Sequence, residues 1–485
     1  MSHPIISVPD YTGHPLLDVG LATLTAFAKK KRPTQLTEED LRGAAAYMQE
    51  NYVVNPLKSF LTVAFPNSGF TNPAFEKTPE KRHVYAHRVL NAFTASLAPA
   101  RDPFTGLSAA NVPFDIKGEL PAGLAYRQHV PLLTGEDVIN FHPYGEAGLP
   151  LSGVSLLAFQ ALPLGCAKVS GRLLAVHSDD PDLLLYFART FLGQNQKGVA
   201  MARAAGDSKL PDTSPHQAKT VLIEHLLRAE RELRRFEEER TPATLTGYYF
   251  TNSGQGAELQ IFPLPLEVSA FLSTVLSPRF APLWEALTSR GWQLTRKEGE
   301  EPRYNRLYED LFTLPEAASR FIRMYFLRKP QRARDKLDPT QTYDVRREID
   351  LVSWALTEIF LKKVVYMEEK RIQAIRELGD ALAQFIAERN ERGFFNAFWM
   401  ARNYGELRAA LIRASSAEVR AGRKPLITLD SFLAIFEQAE GIPNGDWRLG
   451  RDLVLIRLLE QLYQKGWVQA HAAELPETVE ETTES

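Results

Sequence analysis

Residues 245–265, LTGYYFTNSGQGAELQIFPLP, decide how this chain is read. Two short runs of aromatic and β-branched residues flank Asn252, Ser253, Gly254, Gln255 and Gly256. Such a cluster is either a glycine-rich loop around a phosphate or the tip of a β-hairpin. A Walker-type loop needs Gly-x4-Gly-Lys-Ser/Thr opening a helix, whose N-terminal dipole holds the anion. Here no Lys follows, and a second strand pattern stands where the helix should begin. The stretch therefore predicts a hairpin. Asn and Gln at its tip carry a donor and an acceptor each, the chemistry that reads base edges. Asn, Ser and Gly are also simply what turns are made of, and both readings stand at this point.

Upstream the pattern is helical. PLLDVGLATLTAFAKKK has apolar residues at helical spacing, and TEEDLRGAAAYMQENY opens on Thr37 as an N-cap with acids in its first turn. PEKRHVYAHRVLNAFTASL is a third helix, and FPNSGFTNPAF, residues 65–75, is a turn-rich loop before it. Residues 99–150, rich in Pro and Gly, read as loop with a few strands. SGVSLLAFQALPLG predicts a short helix and GRLLAVHS a strand. DPDLLLYFARTFLGQNQKGVAMARAAG predicts a longer helix broken near Gly193, and HQAKTVLIEHLLRAERELRRFEEER a charged helix with a narrow apolar stripe. From about residue 343 the chain is almost wholly helical. Its last segment places Leu455, Leu458, Leu459 and Leu462 on one helix face.

The expected class is α+β. A mixed N-terminal domain with short strands and a hairpin covers 1–335, and an all-α helical bundle covers 336–470. An acidic disordered tail covers 471–485. The boundary is drawn in KPQRARDKLDPTQ, where charge, Pro and turn residues coincide. A chain of 485 residues is long enough for about two or three domains.

Hydrophobic residues at 44% and charged residues at 24% fit a soluble globular protein with a large core. The net charge of −2 names no polyanion partner, but it hides local asymmetry. Residues 319–336 hold seven Lys or Arg and one acid, Asp335, whereas the final ELPETVEETTES carries five Glu and no base. A basic stretch in a neutral chain makes a nucleic-acid footprint without moving the pI. The single Cys166 excludes an internal disulfide and a Cys-based zinc site. MSHPIISVPDYTGHP lacks the charged start and apolar core of a signal peptide, and no run approaches 18 apolar residues. A cytoplasmic protein with no membrane partner is expected.

Catalytic signatures are sparse. His83 and His87 stand four apart, but a zinc site needs a third ligand and no zincin Glu is present. There is no GxSxG elbow, and Cys166 follows LPLG without a neighbouring base. DWRLGRD mixes Asp446, Arg448, Arg451 and Asp452, a spacing that suits local pairs worth a few tenths of a kcal/mol. No cofactor, no metal and no catalytic residue are expected.

Several stretches together carry a resemblance. GHPLLDVGLATLTAFA, LSGVSLLAFQALPLGCAKVSGRLLAVHSDDPDLLLYFAR, YYFTNSGQGAELQIFPLP and WRLGRDLVLIRLLEQLY follow one another over about residues 13–467. In order and spacing they resemble the large subunit of type I CRISPR–Cas interference (Cascade) complexes, most like subtype I-B. Many relatives carry two CxxC pairs; APARDPFTGL has none, so no zinc knuckle is expected. The resemblance implies a non-catalytic subunit near the 5′ handle of a guide RNA (crRNA). Its target is double-stranded DNA, on which it reads the short protospacer-adjacent motif (PAM), helps open the duplex and stabilises the R-loop. The implied protein partners are the backbone and handle-capping subunits, small-subunit copies made from the same gene, and a helicase-nuclease. An internal start would fall near Met324, Val345 or Met367.

In that setting the candidates for base contact are Asn252, Ser253 and Gln255 in the hairpin tip and Asn67, Ser68 and Asn72 in FPNSGFTN. Candidates for the nucleic-acid backbone are Lys29, Lys30, Lys31 and Arg32; Arg328, Lys329, Arg332 and Arg334; and Arg420, Arg423 and Lys424. Each basic group is equally a solvated helix end. Two other classes remain open: a hydrolase with dispersed catalytic residues, and a helical scaffold or regulator without a nucleic-acid role.

Overall fold

The structure is a computed structural model. It describes residues 6–471 except 116, 136, 137, 139–146, 235–240, 253–255, 297, 298, 328–348 and 438–446. The class is α+β, with the strands in the N-terminal part and a helical C-terminal part. Two compact units divide after Leu264.

In the first unit, helix α1 (Pro15–Phe27) is buried along nearly its whole length, as its continuous apolar run requires. It crosses α5 (Gly153–Ala161) so closely that a Cβ on Gly20 would lie 2.1 Å from the carbonyl oxygen of Ala158. Each fully buried Leu along this seam stabilises the unit by about 1.5–3 kcal/mol. Helix α2 (Glu38–Asn51) starts as its sequence predicts. Thr37 accepts from the Asp40 N–H, and the Asp40 carboxylate accepts from the Thr37 N–H at 2.9 Å. Short α3 (Leu57–Phe60) leads into the turn-rich loop, and α4 (Pro79–Leu90) follows.

The strands form two small ribbons and one sheet. Strand β1 (Leu97–Arg101) pairs with β2 (Ser108–Ala110), and β3 (Leu124–Ala125) with β4 (Leu149–Pro150). The sheet is antiparallel in the order β5 (Ala167–Val169), β6 (Arg172–Ser178), β7 (Leu245–Thr251), β8 (Glu258–Leu264). The expected hairpin is therefore β7–β8, with Leu245 opposite Leu264 and Thr251 opposite Glu258. Between β6 and β7 run α6 (Pro181–Ala205) and α7 (Ala218–Leu233). Helix α6 corrects the expected break at Gly193. It continues for 25 residues to a left-handed Gly206, because Asn195, Val199 and Ala202 beyond Gly193 are buried and hold it in register.

The second unit is helical among its described residues: α8 (Leu266–Val275), α9 (Ala281–Gln293), α10 (Arg306–Leu311) and α11 (Ala318–Phe321), which runs into a π-turn. Then follow α12 (Trp354–Lys363), α13 (Glu369–Arg389), α14 (Arg392–Trp399), α15 (Tyr404–Arg420), α16 (Leu429–Phe436), α17 (Trp447–Gln464) and α18 (Trp467–Ala470).

The boundary expected at 335/336 lies outside the described residues, as do Val345 and nearly all of the tail, 472–485. Helices on either side of that boundary share one core. Phe360 of α12 stacks on Phe321 at 5.2 Å and meets Phe271 of α8 at 5.4 Å, edge to face. Residues 265–327 thus belong with the C-terminal helices, a division that composition alone missed.

Helix α17 is not one-sided. Leu455, Leu458, Leu459 and Leu462 are buried, but so are Leu453, Val454 and Ile456 on its other faces. Its N-terminal half, 449–456, is buried on every side, while Arg457, Glu460, Gln461 and Gln464 keep a less buried face on the C-terminal half. The expected loose pairing in DWRLGRD is corrected too. Asp452 is fully buried and takes Arg451 at 2.9 Å and Arg323 at 2.5 Å, while Arg451 also donates to the Ala401 carbonyl. Asp446 lies outside the described residues. Among the described residues no helix is long and apolar enough to cross a membrane.

Candidate nucleic-acid interface

The hairpin and the FPNSGFTN loop, two alternatives in the sequence, are neighbours in the fold. Asn252 closes β7. Its N–H donates to the Val63 carbonyl at 2.7 Å, and its Nδ2 donates to Ala64 O at 3.0 Å and Arg127 O at 3.3 Å. In return Arg127 donates Nε to Asn252 Oδ1 at 3.1 Å and Nη2 to its backbone oxygen at 2.6 Å. Asn252 is fully buried, and its amide is engaged through both nitrogen and oxygen. It is a clamp that fastens the hairpin to the loop, which corrects its expected role in base contact. Ser253 and Gln255 lie outside the described residues.

In the loop, Ser68 is buried against Thr71, and the Asn72 side chain accepts from the Ala74 N–H at 2.9 Å as the cap of a short turn. Both contacts are local to the turn, as is usual for turn-forming side chains. Asn67 differs. It is exposed, at φ +58°, and it is the one exposed residue among the four described candidates.

One face of the sheet beside the clamp carries groups that sequence reading passed over. Tyr249 of β7 and Phe262 of β8 lie ring to ring at 6.1 Å and 26°. The Arg172 guanidinium sits 5.6 Å from the Tyr249 centroid and Lys219 Nζ 5.3 Å from that of Phe262. Arg172 also reaches Glu258 at 2.6 Å, and Tyr249 donates its hydroxyl to the Val169 carbonyl at 3.1 Å. Half-exposed aromatic rings flanked by cations are the elements from which stacking platforms for unpaired bases are built. The period-two aromatics of YYF and IF were a visible signal. Which of them share a face depended on the register.

The basic candidates separate into engaged and unengaged groups. Lys30 lies 3.9 Å from Asp40, and Arg32 pairs with Asp182 at 2.9 Å. Lys29 and Lys31 are exposed with no carboxylate partner among the described residues. Arg423 grips Glu418 through two bonds, 2.5 and 3.1 Å, and Arg389 shares that carboxylate. Arg420 and Lys424 are exposed, and Arg408 and Arg413 on the same helix α15, which sequence reading missed, are exposed with them. Arg328, Lys329, Arg332 and Arg334 lie outside the described residues.

The reactive groups singled out in the sequence do not converge in the described part; His177 pairs with Asp18 at 3.2 Å and His216 with Glu224 at 3.1 Å, apart from them. Cys166 is buried, and burial pushes its thiol well above the ordinary value. His83 and His87 are exposed on α4. No three or more His, Cys, Asp or Glu among the described residues stand close enough to hold a metal ion. A cavity of about 420 Å³ beside α2 and the β1–β2 ribbon has Glu38 and Arg42 as its titratable lining, bonded to each other at 2.9 Å. No protein-family model, no curated protein and no solved structure matches the chain.

Proposed function

We propose that this chain is the non-catalytic large subunit of an RNA-guided DNA surveillance complex, working in the cytoplasm. It reads a short motif beside the target, helps part the duplex, holds the displaced strand and recruits a helicase-nuclease. The observation that carries the reading is the joined end of the first unit. The bonds of Asn252 to Val63 and Ala64 fix the hairpin to the start of the loop that presents Asn67, and the same hairpin carries the Tyr249–Phe262 face. A narrow polar projection beside a ring surface suits a division of labour in which guide pairing reads the sequence and protein reads the motif and the backbone.

Co-expression with a guide RNA and the products of neighbouring genes tests the proposal. A ribonucleoprotein that retains the chain and binds duplex DNA in a motif-dependent way is the expected result. Within it, Asn67→Ala should flatten preference at one motif position, at about 1–3 kcal/mol. A chain that enters no such assembly and turns over a substrate by itself would overturn the reading.

A further inference from the structure

We infer that the groove between the end of α1 and the exposed face of α6 is a phosphate site, and that its occupant is the phosphodiester backbone of a nucleic-acid strand. The occupant, though not the cationic groove, rests on the function proposed above.

The groove encloses about 620 Å³. Lys29 stands on the α1 side and Arg189 on the α6 side, with Phe27 and Leu192 as apolar lining, Gln196 as an amide, and no carboxylate lining it. Arg189, Gly193 and Gln196 share one face of α6 by their i, i+4, i+7 spacing. Neighbouring cations show what a structural role looks like here: Lys30 and Arg32 both have an acid within reach. Lys29 and Arg189 have none among the described residues. Both line the groove without such a partner, an arrangement that an anion relieves.

Two backbone positions on this groove break local rules. Helix α1 ends in a Schellman turn, with Lys29 N–H bonded to Ala26 O at 3.1 Å and Lys30 N–H to Thr25 O at 3.0 Å. The residue at its left-handed position is ordinarily Gly; here it is Lys29 at φ +57°, a conformation that costs an L-residue about 1–2 kcal/mol. Helix α6 has the converse exception. Gly193 occupies a helix interior, where Gly is about 1 kcal/mol worse than Ala, although an added Cβ would meet nothing within 4 Å. A side chain is kept where glycine would be easier, and glycine is kept where alanine would fit. Both exceptions fall on one groove, and each serves it: Lys29 supplies charge, and Gly193 leaves the wall low. Local rules broken without packing reward mark functional positions. Arg189 suits two phosphate oxygens through its planar fork, and Lys29 adds a point charge.

The test uses the full chain and a labelled single-stranded DNA of about 20 nucleotides, titrated at several salt concentrations. The variants are Lys29→Gly, Arg189→Ala and the double, with Lys31→Ala as a charge-matched control outside the groove. The double variant should bind about tenfold more weakly at low salt, with a salt slope shallower by about 1, and Lys31→Ala should change affinity less than about twofold. Lys29→Gly should keep or raise the melting temperature, which separates lost binding from lost folding. Inorganic phosphate, titrated separately, distinguishes a free anion from a strand. If it binds wild type but not the double variant while strand affinity is equal in both, the strand is not the occupant and the inference is overturned. Wild type that binds DNA, with a double variant that matches it, sinks the groove alone. Wild type that binds no DNA in this assay sinks the nucleic-acid reading with it.

Discussion

Asn252 and Lys29 both looked, as residue types, like groups that reach outward, and the fold treats them oppositely. Asn252 is fully buried, and its backbone and amide bond to Val63, Ala64 and Arg127. Lys29 is exposed in a strained conformation with no acid beside it among the described residues. The difference teaches how to weigh a polar side chain. Where every donor and acceptor finds an internal partner, structure accounts for the residue. Where a conformational cost is sustained with no internal partner, something outside the chain accounts for it better.

The engaged side of that contrast is broken hardest in the second unit. Asp452→Ala leaves Arg451 and Arg323 without their shared carboxylate, and Arg451 is itself buried. The expected loss is about 3–5 kcal/mol, read as a lower denaturation midpoint. A neutral side chain there with unchanged stability would mean that the triad is wetter than the fold suggests.

A pH series probes the same principle at His129. Its Nδ1 accepts from the Tyr126 N–H at 3.2 Å and its Nε2 faces the Phe114 carbonyl at 2.9 Å, so the ring is held neutral with the proton on Nε2. Burial lowers its pKa from 6.5 to about 4. The unfolded chain therefore takes up the proton first as pH falls. Stability from this group is whole above about pH 6.5 and is lost on the way to about pH 4, by roughly 3 kcal/mol at about 1.4 kcal/mol per pH unit. Denaturation midpoints at pH 7, 5.5 and 4 should fall in wild type and fall less in His129→Gln.

At the clamp itself, Asn252→Ala orphans two carbonyls and a guanidinium nitrogen, for an expected loss of about 2–3 kcal/mol. Motif preference measured well below the melting temperature should weaken less than in Asn67→Ala, since the amide faces inward and acts only through the loop it holds; a full loss of motif preference without a loss of stability would restore Asn252 as a reader. The smallest effect has the opposite sign. Gly193→Ala should stabilise α6 by about 0.5–1 kcal/mol, a rise in melting temperature of a degree or two, while it narrows the Lys29–Arg189 groove.

Much of the secondary structure was legible from neighbours in sequence. The Thr37–Asp40 box, the hairpin 245–264 and α7 follow from caps and periodicity within a few residues. The Gly193 break did not occur because burial of residues beyond it outweighed a propensity term of about 1 kcal/mol. The deep burial of the N-terminal half of α17 was hidden for a related reason: its leucines match a one-sided template, and only the helices around it reveal that Leu453, Val454 and Ile456 are covered too. Of the candidate site, Asn67 and Lys29 were identified from composition, whereas Arg189, Arg172, Lys219, Tyr249 and Phe262 were not.

The sequence alone determined many of the helices and strands, among them the capped start of α2, that the middle of the chain is a hairpin and not a phosphate loop, and where cations cluster in the chain. Tertiary structure decided which of those polar groups are consumed. Asn252 meets Arg127 across 125 residues, and Lys29 and Arg189, distant in sequence, line one groove. Backbone geometry is set by interactions over a few residues, but the satisfaction of a side chain is set by whatever the fold brings beside it.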